Sequence, residues 1–195
     1  MKISFIQPSR NNLKYLKWSY EAIRKNLSHK EHEICVADDF SNDGTLEWCK
    51  ETSEKDPHFK FIRNEGPTRL GHTILYDRLI NEVATNDVVM IYHADMYACP
   101  NFDKYVEKYI QPGTIVSLTR IEPPLHPPGP EKIVQAFGTE PEEFNEAGLL
   151  KWFNDTRLTR KDKTTEGIFA PWAIYKSDFQ SIGGHDDLYA PQSKE

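Results

Sequence analysis

Two adjacent acidic residues stand where a predicted strand ends in a polar turn. Asp38 and Asp39 are followed by Ser-Asn-Asp-Gly-Thr at 41–45, residue types that favour turns and helix N-termini. One of the two carboxylates could accept a hydrogen bond from a nucleobase N–H or a ribose hydroxyl. A turn with good capping chemistry explains the same residues equally well, so spacing alone leaves both interpretations open.

His93 and Asp95 form a second candidate site, directly after the nearly all-apolar segment 87–92. A carboxylate with an imidazole close before it in the chain offers ligands to a divalent cation such as Mg or Mn. Asp and His at strand ends are also commonly solvated or hydrogen-bonded locally, and this is the competing interpretation.

Charged residues elsewhere supply the other chemistry that an anionic substrate would need. Three cations are candidate partners of a diphosphate: Arg10, Arg69 and His72. Three carboxylates are candidate general bases for a substrate hydroxyl: Asp186, Asp187 and Glu195. Solvated surface cations and an ordinary polar turn are the alternative explanations.

The predicted secondary structure brings these residues to one edge of a sheet. Apolar runs typical of strands occupy 3–7, 33–37, 59–63 and 87–92. Apolar residues at helical spacing follow the first three runs, at 13–27, 45–54 and 69–84. This alternation predicts a doubly wound, mostly parallel α/β sheet, in which ligands bind beyond the carboxyl ends of the strands.

The second half of the chain has a different character. We expect a fifth strand at 114–119, a surface loop over the proline-rich stretch 123–130, and an exposed helix at 140–155. An extended segment, a helical turn and a tight turn are predicted to follow, at 168–175, 177–181 and 182–187.

Composition limits the class of partner. The 195 residues, enough for one domain, carry 24 Lys+Arg against 30 Asp+Glu, a net charge of −6 that argues against a nucleic-acid partner. Cys35, Cys49 and Cys99 have the spacing of neither a disulfide framework nor a zinc site, which favours a reducing compartment. Apolar runs are too short to span a bilayer. We therefore expect a cytoplasmic protein without a transmembrane segment, with contact at the inner face of a membrane left open.

Five segments, taken in order, resemble the GT-A glycosyltransferases of family 2. They lie at 3–11, 37–45, 64–66, 92–95 and 179–187, and Asp-Asp-x-Ser-x-Asp-Gly-Thr at 38–45 is the most specific. The resemblance spans essentially all 195 residues. It implies a single domain with a GT-A, Rossmann-like fold, in which residues 1–97 form the nucleotide-sugar-binding half and 98–195 an incomplete acceptor-side half.

The resemblance also implies a reaction. We expect an inverting glycosyltransferase of polysaccharide biosynthesis, which moves a sugar from a nucleotide-diphospho-sugar to an acceptor hydroxyl with the help of Mn or Mg. A UDP-sugar is the favoured donor and a GDP-sugar the alternative. The acceptor would be a saccharide, a lipid-linked molecule or a protein. The proline-rich loop with His126 and the region of Trp172 would border it, and an aromatic residue of the core is the competing interpretation of Trp172. A homodimer is compatible with the sequence.

The family pattern assigns roles to particular residues of this chain. Donor contacts are expected at Pro8, Ser9, Arg10, Asp38, Asp39, Arg69, His93 and Asp95. The metal is expected at Asp95, with His93 as a second ligand. The catalytic base is expected to be Asp187 or Glu195.

Three departures from the family pattern accompany the resemblance. His93-Ala94-Asp95 stands where the family has Asp-x-Asp. Gly71 stands near the place of a phosphate-binding arginine, which leaves Arg69 as the nearest cation. The family's base belongs to a Glu-Asp pair whose first position is Glu195, the last residue here. We therefore expect either a truncated active site or a substitute base.

Two functions other than sugar transfer are compatible with the sequence. A non-catalytic module that binds sugar nucleotides or carbohydrates fits the absent base and the unusual His-Ala-Asp. A nucleotidyltransferase uses a similar sheet but typically has a glycine-rich loop after its first strand. Residues 7–12 contain no glycine, which counts against the nucleotidyltransferase.

Overall fold

The computed structural model describes residues 1–125, 129, 132–156 and 169–186. By its internal contacts the chain divides into two units, one made of Met1–Val116 with Trp172–Glu195 and the other of Ser117–Pro171. Among the residues expected to act, His126, Asp187 and Glu195 lie outside the described part.

A six-stranded sheet dominates the structure. In chain order its strands are β1 (Ile3–Ser9), β2 (Glu33–Asp39), β3 (Phe59–Asn64), β4 (Val88–Ile91), β5 (Val116–Ser117) and β8 (Trp172–Tyr175). Their order across the sheet is β3-β2-β1-β4-β8-β5. β1 to β4 pair in parallel, whereas β8 runs antiparallel to β4. The predicted doubly wound, mostly parallel α/β fold is confirmed.

Helices follow the strands of this sheet, and the hydrophobic periodicity predicts the first three of them. They are α1 (Leu13–Asn26), α2 (Thr45–Lys55), α3 (His72–Arg78), α4 (Phe102–Tyr109) and α6 (Lys176–Ser181). A π-helical turn at Leu79–Val83 extends α3. The apolar faces of the helices cover a sheet whose first two strands are buried at every residue.

The second unit is built from short elements. β6 (Arg120–Glu122) and β7 (Lys132–Val134) form a parallel pair of their own. A 3₁₀ turn at Pro141–Glu143 precedes α5 (Glu146–Thr156), so the helix expected at 140–155 is divided in two. Inside this unit the rings of Phe137 and Trp152 lie 6.1 Å apart.

A buried carboxylate joins three strands at the end of the sheet where β2 begins. Glu33 accepts hydrogen bonds from the Ser4 hydroxyl at 2.6 Å, from Lys60 Nζ at 2.5 Å, and from both the amide and the hydroxyl of Thr85. Burial alone would raise the pKa of Glu33, but these hydrogen bonds outweigh it and lower the pKa to about 2. Glu33 is therefore ionised in the native protein at neutral pH.

The Glu33 network predicts how stability changes in acid. The pKa of Glu33 is about 2 in the folded chain against an ordinary value of 4.5. The stability that Glu33 contributes is therefore complete above about pH 4.5 and is lost as the pH falls through 2. Over this range we expect the free energy of unfolding to fall by at most about 3 kcal/mol. Urea unfolding at several pH values measures it, and Glu33→Gln should flatten this part of the curve. The exposed Glu31, paired with Lys2, gives the matched control Glu31→Gln. Equal pH dependence in the wild type and both variants would contradict the assignment.

Candidate functional site

The carboxyl ends of four parallel strands meet at one edge of the sheet and bring the predicted site residues together. The register pairs Ser9 of β1 with Asp38, and Asp39 of β2 with Asn64 of β3. Arg10 follows Ser9 directly, and its guanidinium donates to the Asp39 carbonyl oxygen at 3.3 Å. The predicted edge of polar groups is therefore present, and Asp39 lies at its centre.

Asp39 accepts hydrogen bonds from the end of β3 and from the segment that leads into α3. Its Oδ1 accepts hydrogen bonds from Asn64 Nδ2 at 2.7 Å and from the Leu70 amide at 3.1 Å, and its Oδ2 accepts the Gly71 amide at 3.1 Å. Burial alone would raise the pKa of Asp39. The three hydrogen bonds, helped by the charge of Arg69, outweigh this effect and lower the pKa below its ordinary value. The side chain is therefore a carboxylate at neutral pH.

Asp39 retains the capacity to bind a ligand. A carboxylate offers about four lone-pair positions, so the three hydrogen bonds leave one position on Oδ2. Arg69 Nε lies 3.8 Å from this oxygen, and the Arg69 side chain is 57% exposed. Arg10, from the loop after β1, contacts the backbone carbonyl of the same residue. The arrangement can accept one N–H or O–H and can hold a phosphate nearby.

Asp38, the other member of the acidic pair, is fully buried. Its Oδ1 accepts the Ser41 amide at 3.0 Å, and its Oδ2 pairs with the Arg63 guanidinium of β3. Because successive side chains of a strand point to opposite faces, adjacent carboxylates of β2 have different surroundings. Asp38 contacts Arg63, while a direct contact with a ligand stays a prediction.

Pro8 and Ser9 end β1 as buried residues. Ser9 is 4% exposed, and its Oγ has no hydrogen-bond partner among the described residues. A buried hydroxyl without a partner is uncommon and can mark a place for a water or a ligand atom. The predicted donor contact of Ser9 is compatible with this geometry, and that of Pro8 stays a prediction.

The loops that follow β1 and β2 are joined by hydrogen bonds. The Asn11 amide donates to the Ser41 hydroxyl at 2.9 Å, and Asn11 Oδ1 accepts the Asn42 amide at 2.9 Å. Asp43 Oδ2 accepts the Leu13 amide at 2.9 Å, which satisfies a free amide in the first turn of α1. The turn residues identified in the sequence therefore hold two loops together. A groove of about 440 Å³ opens there, lined by Asn11, Asn12, Leu13, Lys14, Tyr15, Lys17 and Asp43.

Phe40 lies beside the site in an unusual backbone conformation. Its φ is 59°, in the left-handed region, and its side chain is 37% exposed. The ring covers Gly66, where an added Cβ would lie 2.5 Å from the ring carbons. Gly66 has a φ of +75°, so both the conformation and the close approach require glycine.

The close approach of Phe40 predicts the effect of Gly66→Ala. Gly113 gives a matched control, because it has a φ of +74° with nothing within 4 Å of an added Cβ. Both alanine variants carry the left-handed backbone strain, about 1–2 kcal/mol. Gly66→Ala should cost about 1–3 kcal/mol more in free energy of unfolding, because the ring must move. Urea unfolding tests this difference, and equal losses would contradict the close contact.

His93 and Asp95 follow β4, as predicted. The His93 carbonyl oxygen accepts from Gln7 Nε2 at 3.3 Å, and Asp95 is exposed. Among the described residues there is no group of three or more His, Cys, Asp or Glu side chains that could hold a metal ion. One carboxylate and one imidazole nevertheless fit a cation such as Mg or Mn, which takes its other ligands from substrate phosphates and water. The metal expected at Asp95 and His93 stays a prediction.

Other predicted residues lie near this edge. His72 begins α3, is exposed, and has its ring 6.1 Å from that of Tyr76. Trp172 is half-buried in β8, opposite Ile91 of β4. Asp186 is the last described residue, and its side chain is exposed.

Sequence reasoning missed the pair formed by Asp77 and His185. These residues are 108 positions apart, and Asp77 Oδ1 lies 2.5 Å from His185 Nδ1. The Gly-Gly-His turn was recognisable, but nothing in the spacing identified a partner on α3. Asp77 lies on the half-buried part of that helix, where the periodicity predicts no special role.

The chain matches one protein family over most of its length. The model of glycosyl transferase family 2 matches residues 4–182. No curated protein sequence has a significant match to the chain. In the described part of the chain, no helix combines the length and the apolar character needed to cross a bilayer.

Three solved structures with a similar fold contain a nucleotide or a nucleotide-sugar. GalNAc-T7 with UDP, GalNAc and Mn²⁺ has a TM-score of 0.63 at 17% identity, covering 95% of this chain and 37% of that chain. Mannosyltransferase PcManGT from Pyrobaculum calidifontis, with GDP-Man and Mn²⁺, has 0.60 at 18% identity, covering 95% and 47%. S. aureus TarS 1-349 with UDP has 0.55 at 20% identity, covering 66% and 38%.

These likenesses establish the GT-A fold, and the chain spans less than half the length of each of these three structures. The family model shows membership of a family, which the structural likeness alone does not. Its match at 4–182 includes the four parallel strands apart from Ile3, and also Asp39, Asp95 and α6. The chain belongs to glycosyl transferase family 2.

Proposed function

We propose that this chain transfers a sugar from a nucleotide-diphospho-sugar to an acceptor hydroxyl, with inversion at the anomeric carbon and with help from a divalent metal. The observation that carries the proposal is the strand-end edge, where Arg69 lies 3.8 Å from the Asp39 carboxylate, Arg10 donates to the Asp39 backbone carbonyl, and Asp95 follows the parallel strand β4. Such an edge offers acceptors for a nucleoside, cations for its phosphates and an oxygen ligand for a metal.

The proposed donor site uses the loops after β1, β2 and β3. Asp39 accepts a base N–H or a ribose hydroxyl through its remaining lone pair, while Arg10 and Arg69 face the diphosphate. Pro8 and Ser9 support the same ligand from β1. We assign Asp38 an indirect role, because its fully buried carboxylate fixes the Arg63 side chain beneath the site. UDP-sugars and GDP-sugars are both candidates, since the similar structures contain UDP or GDP-Man.

Asp95 and His93 would hold the metal. Mn²⁺ or Mg²⁺ bound there would neutralise negative charge on the departing diphosphate. The exposure of Asp95 leaves its oxygens accessible to a cation that also binds phosphate. Two of the similar structures contain Mn²⁺, which supports this part of the proposal.

In this proposal the two halves of the chain serve different substrates. Residues 1–97 bind the donor, and 98–195 face the acceptor. The acceptor hydroxyl needs a base, for which the sequence suggests Asp187 and Glu195, both outside the described residues. Trp172 offers an aromatic face of the kind that stacks on sugars.

Nucleotide-dependent stabilisation tests the proposal. The melting temperature and the release of nucleotide are followed with UDP, GDP, UDP-GlcNAc and GDP-mannose, each with and without Mn²⁺. A cognate nucleotide at about 100 times its Kd should stabilise the chain by about 2.7 kcal/mol. Asp95→Asn should lose the Mn²⁺-dependent part of this effect, because the carboxylate ligand is gone.

A matched control separates metal binding from a general change in charge. Asp87 is an exposed carboxylate at the opposite edge of the sheet, where β4 begins, and Asp87→Asn should respond to nucleotides as the wild type does. If none of the four nucleotides stabilises the wild type, the proposed function is wrong. Stabilisation without release of nucleotide would favour a non-catalytic binding module instead.

A further inference from the structure

Gln7 is a fully buried polar residue in the middle of the sheet. Its strand, β1, pairs with β2 on one side and with β4 on the other, and Gln7 is 0% exposed. The side-chain nitrogen Nε2 donates to Ser19 Oγ at 2.9 Å and to the His93 carbonyl oxygen at 3.3 Å. One glutamine therefore joins α1 to the loop that follows β4.

The partners of the Gln7 amide set its orientation. A backbone carbonyl oxygen only accepts hydrogen bonds, so the nitrogen of the amide must face His93. Gln7 Oε1 is buried and has no hydrogen-bond partner among the described residues. A buried polar atom without a partner costs free energy, which an apolar side chain in the same place would avoid. Packing alone therefore does not account for a glutamine at this position.

The His93 carbonyl oxygen begins the turn that carries Asp95. It accepts the Met96 amide at 3.3 Å, the bond that joins the first and fourth residues of a β-turn. Asp95 is the third residue of this turn and is exposed, whereas Ala94 beside it is buried. The position of the His93 carbonyl oxygen therefore determines the place from which the Asp95 carboxylate extends.

The side chain of Gln7 continues the contact between β1 and β4 beyond the end of β4. The last pair of the ladder is Ile6 with Ile91, and the Tyr92 amide still donates to the Ile6 carbonyl oxygen at 3.1 Å. At His93 the contact with β1 is made by the Gln7 side chain. The turn is therefore held to the sheet at its first residue.

We propose that Gln7 is a positioning residue for the metal of the sugar transfer, an inference that rests on the proposed function. Through the His93 carbonyl oxygen it holds the turn in which Asp95 would bind Mn²⁺ or Mg²⁺, and Ser19 in α1 holds Gln7. Removing a group that orients a metal ligand typically weakens metal binding by about 10–100-fold. Nucleotide binding should change less, because its proposed contact Asp39 lies on β2 and has hydrogen bonds of its own.

Mn²⁺ binding to a Gln7 variant tests the proposal. Electron paramagnetic resonance of free Mn²⁺ gives the Mn²⁺ Kd with saturating UDP or GDP, whichever stabilises the wild type. A sample without protein corrects for the Mn²⁺ that the nucleotide itself binds. Gln7→Met keeps the length of the side chain without the amide and should raise the Kd by about 10-fold or more. The shift in melting temperature that the nucleotide causes without Mn²⁺ should match that of the wild type.

Gln180→Met is the matched control, because it makes the same chemical change at a glutamine of α6. Gln180 Nε2 donates to Asn81 Oδ1 at 3.0 Å, so this amide also joins two elements. The variant should keep the Mn²⁺ Kd of the wild type. Ser19→Ala is a second variant, in which a helix residue is replaced by the best helix former. Because Gln7 would lose one of its two partners, the Kd should rise, but less than in Gln7→Met.

A double variant shows whether the effect passes through Asp95. Asp95→Asn alone should raise the Mn²⁺ Kd, because a carboxylate ligand is lost. Adding Gln7→Met should then raise the Kd little further, since the group that the turn positions is gone. An equally large rise from Gln7→Met with and without Asp95 would overturn the proposal.

Three further outcomes would also overturn the proposal. The first is an equal Mn²⁺ Kd in the wild type and Gln7→Met, or in the wild type and Ser19→Ala if Gln7→Met does not fold. The second is loss of the metal-free nucleotide response in Gln7→Met, because Gln7 would then shape the whole strand-end edge. The third is a wild type that binds nucleotide without any effect of Mn²⁺. Failure of the proposed function is a separate result, because it appears as the absence of nucleotide-dependent stabilisation in the wild type.

Discussion

Arg63→Ala is expected to lower the free energy of unfolding by about 3–5 kcal/mol, the range found when one partner of a buried ion pair is removed. Asp38 is fully buried, and Arg63 is its charge partner with a side chain that is 16% exposed. Without Arg63, the Ser41 amide is the remaining hydrogen bond to the Asp38 carboxylate given by the described residues. The charge would then be buried without compensation.

Urea unfolding of matched variants measures this effect. Arg78→Ala removes a guanidinium from an exposed pair with Glu82 and should change stability by about 0.5 kcal/mol or less. Adding Asp38→Asn to Arg63→Ala should restore part of the loss, because the unpaired charge is removed. If Arg63→Ala and Arg78→Ala lower the free energy of unfolding equally, the buried Asp38–Arg63 pair stabilises the fold no more than an exposed pair does, and the prediction is wrong.

Asp39→Ala is expected to remove both a binding group and a structural one. Three donors would lose their acceptor: Asn64 Nδ2 and the amides of Leu70 and Gly71. An unsatisfied buried donor costs about 1–3 kcal/mol, so the total should be about 3 kcal/mol or more. The stabilisation by UDP or GDP should disappear as well.

Asp39→Asn separates the two effects. The amide oxygen can still accept from Asn64 and Leu70, whereas its NH₂ faces the Gly71 amide, which is also a donor. Stability should therefore fall by about 1–3 kcal/mol, less than in Asp39→Ala. Nucleotide-dependent stabilisation should still be lost, and Asp87→Asn is the control for net charge. A nucleotide response equal to that of the wild type in Asp39→Asn would exclude Asp39 as a donor contact.

The parallel strands could be predicted because a strand that is buried on both faces is a continuous run of apolar residues in the sequence. Val88–Ile91 is a continuous apolar run, as expected of a central strand. Trp172–Tyr175 has similar composition, yet nothing local specifies that it pairs antiparallel to β4. Strand partners far apart in the chain are chosen by packing, which one sequence does not display.

In the candidate site, too, local features could be predicted from the sequence, whereas contacts between residues far apart in the chain could not. The carboxylates of Asp39 and Asp95 could be predicted because strand ends and turn residues are local features. The burial of Asp38 could not, since it depends on Arg63 in the next strand. The pairing of Asp77 with His185 is also beyond spacing arguments, because it joins a helix to a turn 108 residues later.

β2 carries a stabilising carboxylate at its start and the proposed donor-binding carboxylate at its end. Residues 33 and 39 bound this strand, so Glu33 and Asp39 lie about 20 Å apart at the rise of an extended chain. Sites this distant, without shared partners, usually have additive effects on free energy. The thermal tolerance of the protein can therefore be adjusted around Glu33, Lys60 and Thr85 without altering the affinity at the opposite edge.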